Sequence, residues 1–259
     1  MFDRTFIHDA YACRVGKGTH RAVDRFTEFA RRNRNVLKTD LRKYFPSMDH
    51  VILCGKIERK IKCPGTLWLI RLIIDGSNPQ EEIVQYFPGD DLFEPFRRRR
   101  GIPIGNLTSQ FFANLYLNDF DHFVKESLRC RHYLRYVDDI TVFGDDKAWL
   151  WDMKRRMEDF LDCERLSLHE NKTFVIPVAE GVDHLGYRVF PDHRRLRKDN
   201  GYRFARKLRR MRLLYGEGRA TLKEIDASVQ SWIGHARHAD TWGLRRRILE
   251  EVSFSRQVE

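Results

Sequence analysis

Tyr136-Val137-Asp138-Asp139 is the most informative segment of the sequence, because it places two adjacent carboxylates between two apolar runs. Apolar, aromatic and β-branched residues of the kind that form strands occupy 133–134 before it and 140–143 after it. This pattern predicts a hairpin with both aspartates at its turn. Neighbouring carboxylates repel each other unless a cation compensates them, and oxygen ligands of this type suit Mg²⁺. The alternative is an ordinary surface turn, where Asp-Asp is common.

A second acidic element, 35–45, lies far upstream and contains a short apolar strand that ends on Asp40. Three carboxylates from separate strands are what a two-metal phosphoryl-transfer site requires, with cations about 3.5–4 Å apart. We therefore expect Asp40, Asp138 and Asp139 to converge in the fold. The spacing of these residues does not establish that convergence by itself.

The order of the motifs along the chain resembles the palm of a reverse transcriptase. The matching motifs are Asp40 with Phe45, Gly105-Asn106-Leu107-Thr108-Ser109-Gln110, Tyr136-Val137-Asp138-Asp139, Leu168-His169-Glu170-Asn171-Lys172-Thr173 and His184-Leu185-Gly186-Tyr187-Arg188-Val189-Phe190. The resemblance implies an RNA-directed DNA polymerase, a nucleotidyltransferase, in which the three aspartates are catalytic. They would hold two Mg²⁺ ions, with Mn²⁺ as a possible substitute.

The same resemblance implies roles for other residues. The nucleotide-binding residues would be Phe45, Ile104, Gly105, Gln110 and Lys172. Phe45 matches the aromatic steric gate that excludes a ribose 2′-hydroxyl, and Lys172 matches the lysine near the incoming triphosphate. Leu185, Gly186 and Tyr187 match the primer grip. Without the resemblance, Phe45 would be interpreted as core and Lys172 as a solvated surface lysine.

Residues 9–22 resemble the bacterial group that includes group II intron and diversity-generating retroelement enzymes. Ile104-Gly105 and Ser109-Gln110 match the variant of the central motif associated with diversity-generating retroelements. Most relatives carry Gln at the position of Ile104, so the resemblance implies loosened selectivity and errors opposite template adenines. A group II intron-type or antiviral reverse transcriptase is the alternative, as is ordinary apolar packing of Ile104.

The composition agrees with nucleic-acid binding, although a basic balance alone does not establish it: 48 Lys and Arg stand against 37 Asp and Glu, for a net charge of +11. The basic residues are concentrated at 97–100 and in the last third of the chain, where 231–240 resembles the thumb motif of intron-type enzymes. The predicted contacts with template or duplex are Arg14, Lys17, Arg206, Arg209, Arg210 and His235. The arginine run at 97–100 could instead be a solvated loop.

These features predict an α+β fold of the right-hand polymerase type. Residues 1–34 would be a remnant of the fingers or the fingers–palm junction, 35–192 a palm built on a small antiparallel sheet with packed helices, and 193–259 a helical thumb. The fingers region that precedes these motifs in family enzymes is largely missing, which implies an internal start, a fragment or a degenerate copy. A truncated, non-catalytic RNA-binding protein is therefore a further alternative.

Hydrophobic periodicity predicts the individual elements. We expect a helix capped by Thr19, helical structure over 50–74, a long helix beginning at Thr108 or Ser109 and reaching 123, and further helices over 146–161 and 222–239. Strands are expected near 173–176 and 184–190. The stripe of apolar residues in 146–161 predicts that this helix packs on the palm core.

The five cysteines, at 13, 54, 63, 130 and 163, form no Cys-x-x-Cys pair, so neither a zinc site nor a secreted disulfide framework is expected. A reduced cytoplasm fits best. The longest apolar stretch, 67–74, is interrupted by Arg71, and we expect no contact with a membrane. The resemblance implies as partners an RNA template, a DNA or RNA primer, dNTPs and a small accessory protein of a retroelement.

Overall fold

The structure is a computed structural model that describes residues 2–77, 83–103 and 105–255. The chain divides into two compact units, Met1–Pro177 and Val178–Glu259. Residues 178–192, which we predicted to belong to the palm, therefore group with the second unit. The functional names of the two units stay predictions, and each unit is described separately.

An antiparallel sheet of four strands forms the centre of the first unit. The strands are β1 (Asn35–Asp40), β2 (Tyr133–Tyr136), β3 (Asp139–Gly144) and β4 (Phe174–Pro177). They lie in the order β2-β3-β1-β4, so β1 and β3 are the two central strands. This small antiparallel sheet with helices packed on it confirms the predicted α+β class.

The helices of the first unit pack on both sides of this sheet. They are α1 (Thr19–Arg32), α2 (Tyr44–Ser47), α3 (His50–Glu58), α4 (Pro64–Asp75), α5 (Glu94–Arg97), α6 (Leu107–Tyr116), α7 (Asn118–His122) and α8 (Lys147–Cys163). Alternate strand residues face opposite sides. Val36 and Phe143 pair across β1 and β3, and the ring of Phe143 lies 4.8 Å from that of Phe26 on α1.

The other side of the sheet carries the main core. Leu37 and Val142 are fully buried there in one cluster with Leu53 of α3, Phe112 of α6 and Leu150 of α8. Burial of side chains of this size is worth roughly 1.5–3 kcal/mol each, so this cluster fixes how the helices attach to the sheet. By the same alternation, Asp40 and Asp139 lie on the side that faces α1.

The predicted cap of the first helix is wrong. Gly18 occupies the N-cap position of α1, and Thr19 is its first helical residue. The Thr19 hydroxyl is instead 3.1 Å from the Tyr136 hydroxyl, at the end of β2. The Thr19 hydroxyl, which could have capped the helix, therefore contacts a residue of β2 instead.

Two of the predicted helices are divided. The helical stretch predicted over 50–74 breaks at 59–63, and α4 begins with Pro64, which is well suited to the first turn of a helix but not to its interior. The long helix predicted to reach 123 ends at Tyr116, whose carbonyl accepts a hydrogen bond from Lys56 Nζ at 2.8 Å. A π-helical turn, Phe123–Ser127, follows α7.

The second unit combines an antiparallel sheet of three strands with helices. Its elements are β5 (Val182–His184), β6 (Tyr187–Val189), β7 (Arg194–Leu196), α9 (Lys198–Gly216), α10 (Leu222–Ala236) and α11 (Trp242–Glu250). The rings of Phe204 and Trp232 stack 4.1 Å apart between α9 and α10. A capping box between Thr221 and Glu224 fixes the start of α10.

The single strand predicted near 184–190 is a hairpin. His184 pairs with Tyr187, and both turn residues have positive φ, 47° at Leu185 and 90° at Gly186. Positive φ at both central residues is the geometry that matches the twist of a two-residue hairpin. The last predicted helix also ends earlier than expected, because the Thr241 hydroxyl donates to the Ala236 carbonyl at 2.8 Å.

Within the described residues, none of the helices has both the length and the apolar character needed to cross a membrane.

Candidate active site

The acidic motif forms a tight turn between β2 and β3. Tyr136 pairs with Asp139, so Val137 and Asp138 are the two central turn residues. Val137 has a φ of 58°, in the left-handed region that a β-branched residue rarely adopts. Such a conformation costs about 1–3 kcal/mol and persists only where surrounding contacts impose it. The Val137 carbonyl accepts a hydrogen bond from Arg135 Nη1 at 2.9 Å.

The register of β1 on β3 brings the distant aspartate to this turn. Asp40 pairs directly with Asp139, and the amide of Leu41 donates to the Asp138 carbonyl at 3.2 Å. The charge of Asp40 helps to raise the pKa of Asp138, so these two carboxyls lie close enough to interact. The structure therefore brings together the three predicted aspartates, Asp40, Asp138 and Asp139.

Two lysines compensate part of this negative charge. Lys172 Nζ lies 2.5 Å from Asp40 Oδ2, and Lys38 Nζ lies 2.8 Å from Asp139 Oδ2. The hydrogen bond to Asp40 raises the pKa of Lys172. Sequence reasoning identified Lys172 but missed Lys38. The alternation of β1 places Lys38 on the same side of the sheet as Asp40, and that was a signal available in the sequence.

The two lysine contacts are made to Asp40 and Asp139, and neither involves the Asp138 carboxyl. Burial, followed by the charge of Asp40, raises the pKa of Asp138 to about 6. The carboxylate form is therefore destabilised in this position, and a nearby cation would favour it.

The donor set fits a divalent cation in its chemistry, because all three side chains are oxygen donors of the kind that Mg²⁺ prefers. No group of three or more His, Cys, Asp or Glu side chains is arranged to hold a metal ion within residues 2–77, 83–103 and 105–255. The ammonium groups of Lys38 and Lys172 occupy oxygen positions on two of the aspartates. A cation bound through these two oxygens would share them with the lysines or displace the lysines.

Apart from Lys172, the predicted nucleotide-binding residues of the first unit lie after β1, just before α6 or on α6 itself. Phe45 is half-buried beside the ring of Tyr44, with the ring centroids 5.6 Å apart, and its carbonyl accepts from the Ile102 amide. Gly105 is exposed with a φ of 105°, a conformation that favours glycine. Gln110 is half-buried on α6. Ile104 lies outside the described residues.

Arg14 and Lys17 make internal contacts. The Arg14 side chain is only 8% exposed and donates to Asp3 Oδ1 and to the carbonyls of Ile7 and Ala10. Lys17 Nζ donates to the His8 carbonyl at 2.7 Å and lies 4.7 Å from the centre of the Tyr11 ring, and burial lowers its pKa. Both residues therefore have internal partners, and their contact with template or duplex stays a prediction.

The predicted primer-grip residues and the remaining predicted duplex contacts lie in the second unit. Tyr187 is fully buried, and its hydroxyl donates to the His235 carbonyl at 2.8 Å, so His235 joins α10 to the β5–β6 hairpin. Burial lowers the pKa of His235. Arg206, Arg209 and Arg210 are exposed on α9, as a nucleic-acid-binding role requires. Arg209 also lines a groove of about 480 Å³ with Tyr202 and Arg247.

The fold, an antiparallel sheet with clustered aspartates at its central strands, is similar to that of one solved telomerase with a TM-score above 0.5. The apo telomerase of Candida tropicalis is similar at a TM-score of 0.52 and 12% identity, covering 98% of this chain and 50% of that chain. Telomerase from Candida albicans, in complex with a fragment of telomeric RNA, has a TM-score of 0.48 and 13% identity over 95% of this chain and 45% of that one. The chain thus spans about half the length of the solved telomerases that it matches.

Residues 2–189 match the family described as "Reverse transcriptase (RNA-dependent DNA polymerase)". The chain belongs to the reverse transcriptase family. No curated protein matches its sequence.

Proposed function

We propose that this chain is an RNA-directed DNA polymerase that extends a DNA or RNA primer on an RNA template with dNTPs. The observation that carries the proposal is the meeting of Asp40, on β1, with Asp138 and Asp139, at the turn between β2 and β3. In the proposed reaction the primer 3′-hydroxyl attacks the α-phosphate of a dNTP. A phosphodiester bond forms, pyrophosphate leaves, and the hydroxyl proton is released.

Asp40, Asp138 and Asp139 would hold two divalent ions, Mg²⁺ by proposal and Mn²⁺ as a substitute. Reverse transcriptases generally use divalent metal ions, which activate the attacking hydroxyl and neutralise the charge of the phosphates. The chain itself would position the metal ligands, because the pairing of β1 with β3 holds Asp40 opposite Asp139. Lys172 would pair with a phosphate of the nucleotide after it leaves Asp40.

Primer extension tests this proposal. We expect the purified chain to extend a DNA primer on a defined RNA template with Mg²⁺ and dNTPs, and Asp40→Ala to lower the rate at least about 1,000-fold. Binding of the template–primer duplex, measured by fluorescence anisotropy, should be nearly unchanged in this variant.

Asp152→Ala is the matched control, because Asp152 lies on α8 in ion pairs with Arg155 and Arg156, away from the sheet strands. This control should extend the primer at the wild-type rate. Equal loss of duplex binding and synthesis in Asp40→Ala would contradict the assignment. Duplex binding without synthesis by the wild-type chain would favour the non-catalytic RNA-binding alternative.

The finer proposal is an error-prone enzyme of the diversity-generating type, and it rests on Ile104-Gly105 and Ser109-Gln110. A glutamine at 104 could form a hydrogen bond that isoleucine cannot, worth about 0.5–1.5 kcal/mol of selectivity. We expect Ile104→Gln to lower misincorporation opposite template adenine several-fold, measured by sequencing the products. Faithful copying by the wild-type chain would instead assign it to the intron-type or antiviral alternative.

We propose a retroelement RNA and a small accessory protein as further partners on the same resemblance. The proposed compartment is a reducing one such as the cytoplasm. All five cysteines are free thiols in the structure, which supports a reducing compartment.

A further inference from the structure

Beneath the aspartate turn lies a buried ion pair that sequence reasoning missed. Arg135 of β2 is 1% exposed and Asp121 of α7 is fully buried. The guanidinium binds the carboxylate through two of its three nitrogens, with Nε 2.8 Å from Oδ1 and Nη2 2.6 Å from Oδ2. The Tyr133 hydroxyl donates to the same carboxylate at 2.6 Å. This fork holds the guanidinium in one orientation.

The remaining nitrogen of the guanidinium points to the turn. Arg135 Nη1 donates to the Val137 carbonyl at 2.9 Å and lies 3.5 Å from Asn114 Oδ1. The main chain of Arg135 is fixed as well, since its amide donates to the Asp9 carbonyl and its own carbonyl accepts from the Tyr11 amide, both at 3.0 Å. Arg135 is therefore anchored independently of the turn that it contacts.

The contact coincides with the strained residue of the turn. Val137 has a φ of 58°, which valine adopts only when neighbouring groups impose it. Its conformation sets the position of Asp138, whose carbonyl accepts from the Leu41 amide next to Asp40. Loss of the Arg135 contact would let the turn relax and would move Asp138 relative to Asp40.

We propose that Arg135 is a positioning residue that holds Val137 in the left-handed conformation and thereby fixes Asp138 beside Asp40. The catalytic part of this inference rests on the proposed polymerase function. The competing explanation is that the Arg135–Asp121 pair only stabilises the core. A double-substitution experiment separates the two, because glycine adopts a positive φ without support.

The experiment compares Arg135→Lys in the wild-type chain and in a Val137→Gly background. Lysine keeps the charge for Asp121 but lacks the second branch that reaches the Val137 carbonyl. We expect Arg135→Lys to lower kcat for primer extension about 30-fold, with little change in KM for dNTP. In the Val137→Gly background the same change should lower kcat by about threefold or less.

Hydrogen exchange of the Leu41 amide gives a readout that does not depend on catalysis. It should become faster in Arg135→Lys and return toward the parental rate when Val137→Gly is added. If the wild-type chain makes no DNA, the proposed function fails while this measurement still decides the positioning role. Tyr133→Phe is the matched control: it removes a hydrogen bond from Asp121 without touching Val137, and it should lower the thermal midpoint but leave the Leu41 exchange rate unchanged.

The proposal would be overturned if Arg135→Lys lowered kcat equally with and without Val137→Gly and left the exchange rate of the Leu41 amide unchanged in both backgrounds. If Arg135→Lys does not fold, Asp121→Asn replaces it, because the amide has the shape of the carboxylate but no longer holds the guanidinium by charge. The same rescue by Val137→Gly is then expected. Its absence in that pair would reduce Arg135 to a core-stabilising residue.

Discussion

Asp138→Asn is expected to abolish DNA synthesis and, in EDTA, to raise the thermal midpoint of the protein. Burial and the charge of Asp40 raise the pKa of Asp138 to about 6, so the folded chain bears a cost for ionising this group at neutral pH. Asparagine removes that charge and keeps the shape. For a partly exposed group we expect a gain of about 1 kcal/mol, or roughly 2–4 °C in thermal midpoint.

The gain should depend on pH in a defined direction. Because the folded pKa is raised, the folded state binds more protons than the unfolded state between about pH 4 and pH 6, and wild-type stability falls as the pH rises through this window. The advantage of Asp138→Asn should thus be complete at pH 8 and absent at pH 3.5, as measured by scanning calorimetry. Asp152→Asn, at an ion-paired surface position, is the control and should show no gain. A gain of equal size at both pH values would contradict this origin.

Lys56→Met is expected to destabilise the first unit strongly, by about 3–5 kcal/mol. The Lys56 side chain is 4% exposed, and its ammonium group donates to the Tyr116 carbonyl and to Glu164 Oε1, both at 2.8 Å. It also lies 3.2 Å from Asp119 Oδ2. Methionine fills much of the same volume but leaves the buried carboxylate of Glu164 and a backbone carbonyl without this donor.

Urea unfolding of the two variants Lys56→Met and Lys62→Met measures the effect. Lys62 is exposed and donates to the Glu58 carbonyl, so its variant should lie within about 0.5 kcal/mol of wild type. Burial raises the pKa of Glu164, and loss of Lys56 should raise it further. The destabilisation should therefore grow as the pH rises from 4 to 7. A loss below about 1 kcal/mol at pH 7 would show that Lys56 is dispensable.

The sequence predicted the parts of the site that depend on local pattern. The apolar runs that end at Asp40 and that flank Asp138 and Asp139 have strand periodicity, and each forms a strand or turn as expected. Their pairing could not be derived in the same way, because the register of β1 on β3 is set by packing across the sheet. The resemblance to the reverse transcriptase palm supplied this long-range information.

The sequence does not show which group a basic side chain contacts in the folded chain, and the predictions for basic residues depended on that. Arg14 and Lys17 were predicted to contact nucleic acid, yet their side chains donate to backbone carbonyls in the structure. The ring of His235, predicted likewise, lies 3.0 Å from the Tyr187 hydroxyl. A basic side chain in a sequence has the same pattern whether its acceptor is a phosphate or a backbone carbonyl. Arg135 shows the converse: it stands among apolar residues of a strand, and a buried charge in such a run indicates a buried partner.

The order β2-β3-β1-β4 has a consequence for how the gene could tolerate change. A single inserted codon within 35–40 or 139–144 would shift one strand by a residue and turn its aspartate to the opposite surface of the sheet. Insertions of the same length near Gly89, an exposed loop residue between these strands in sequence, would leave the register intact. A library of random single-codon insertions, selected for folding and DNA synthesis, should therefore be depleted in those two short windows and populated at exposed loop positions such as those near Gly89.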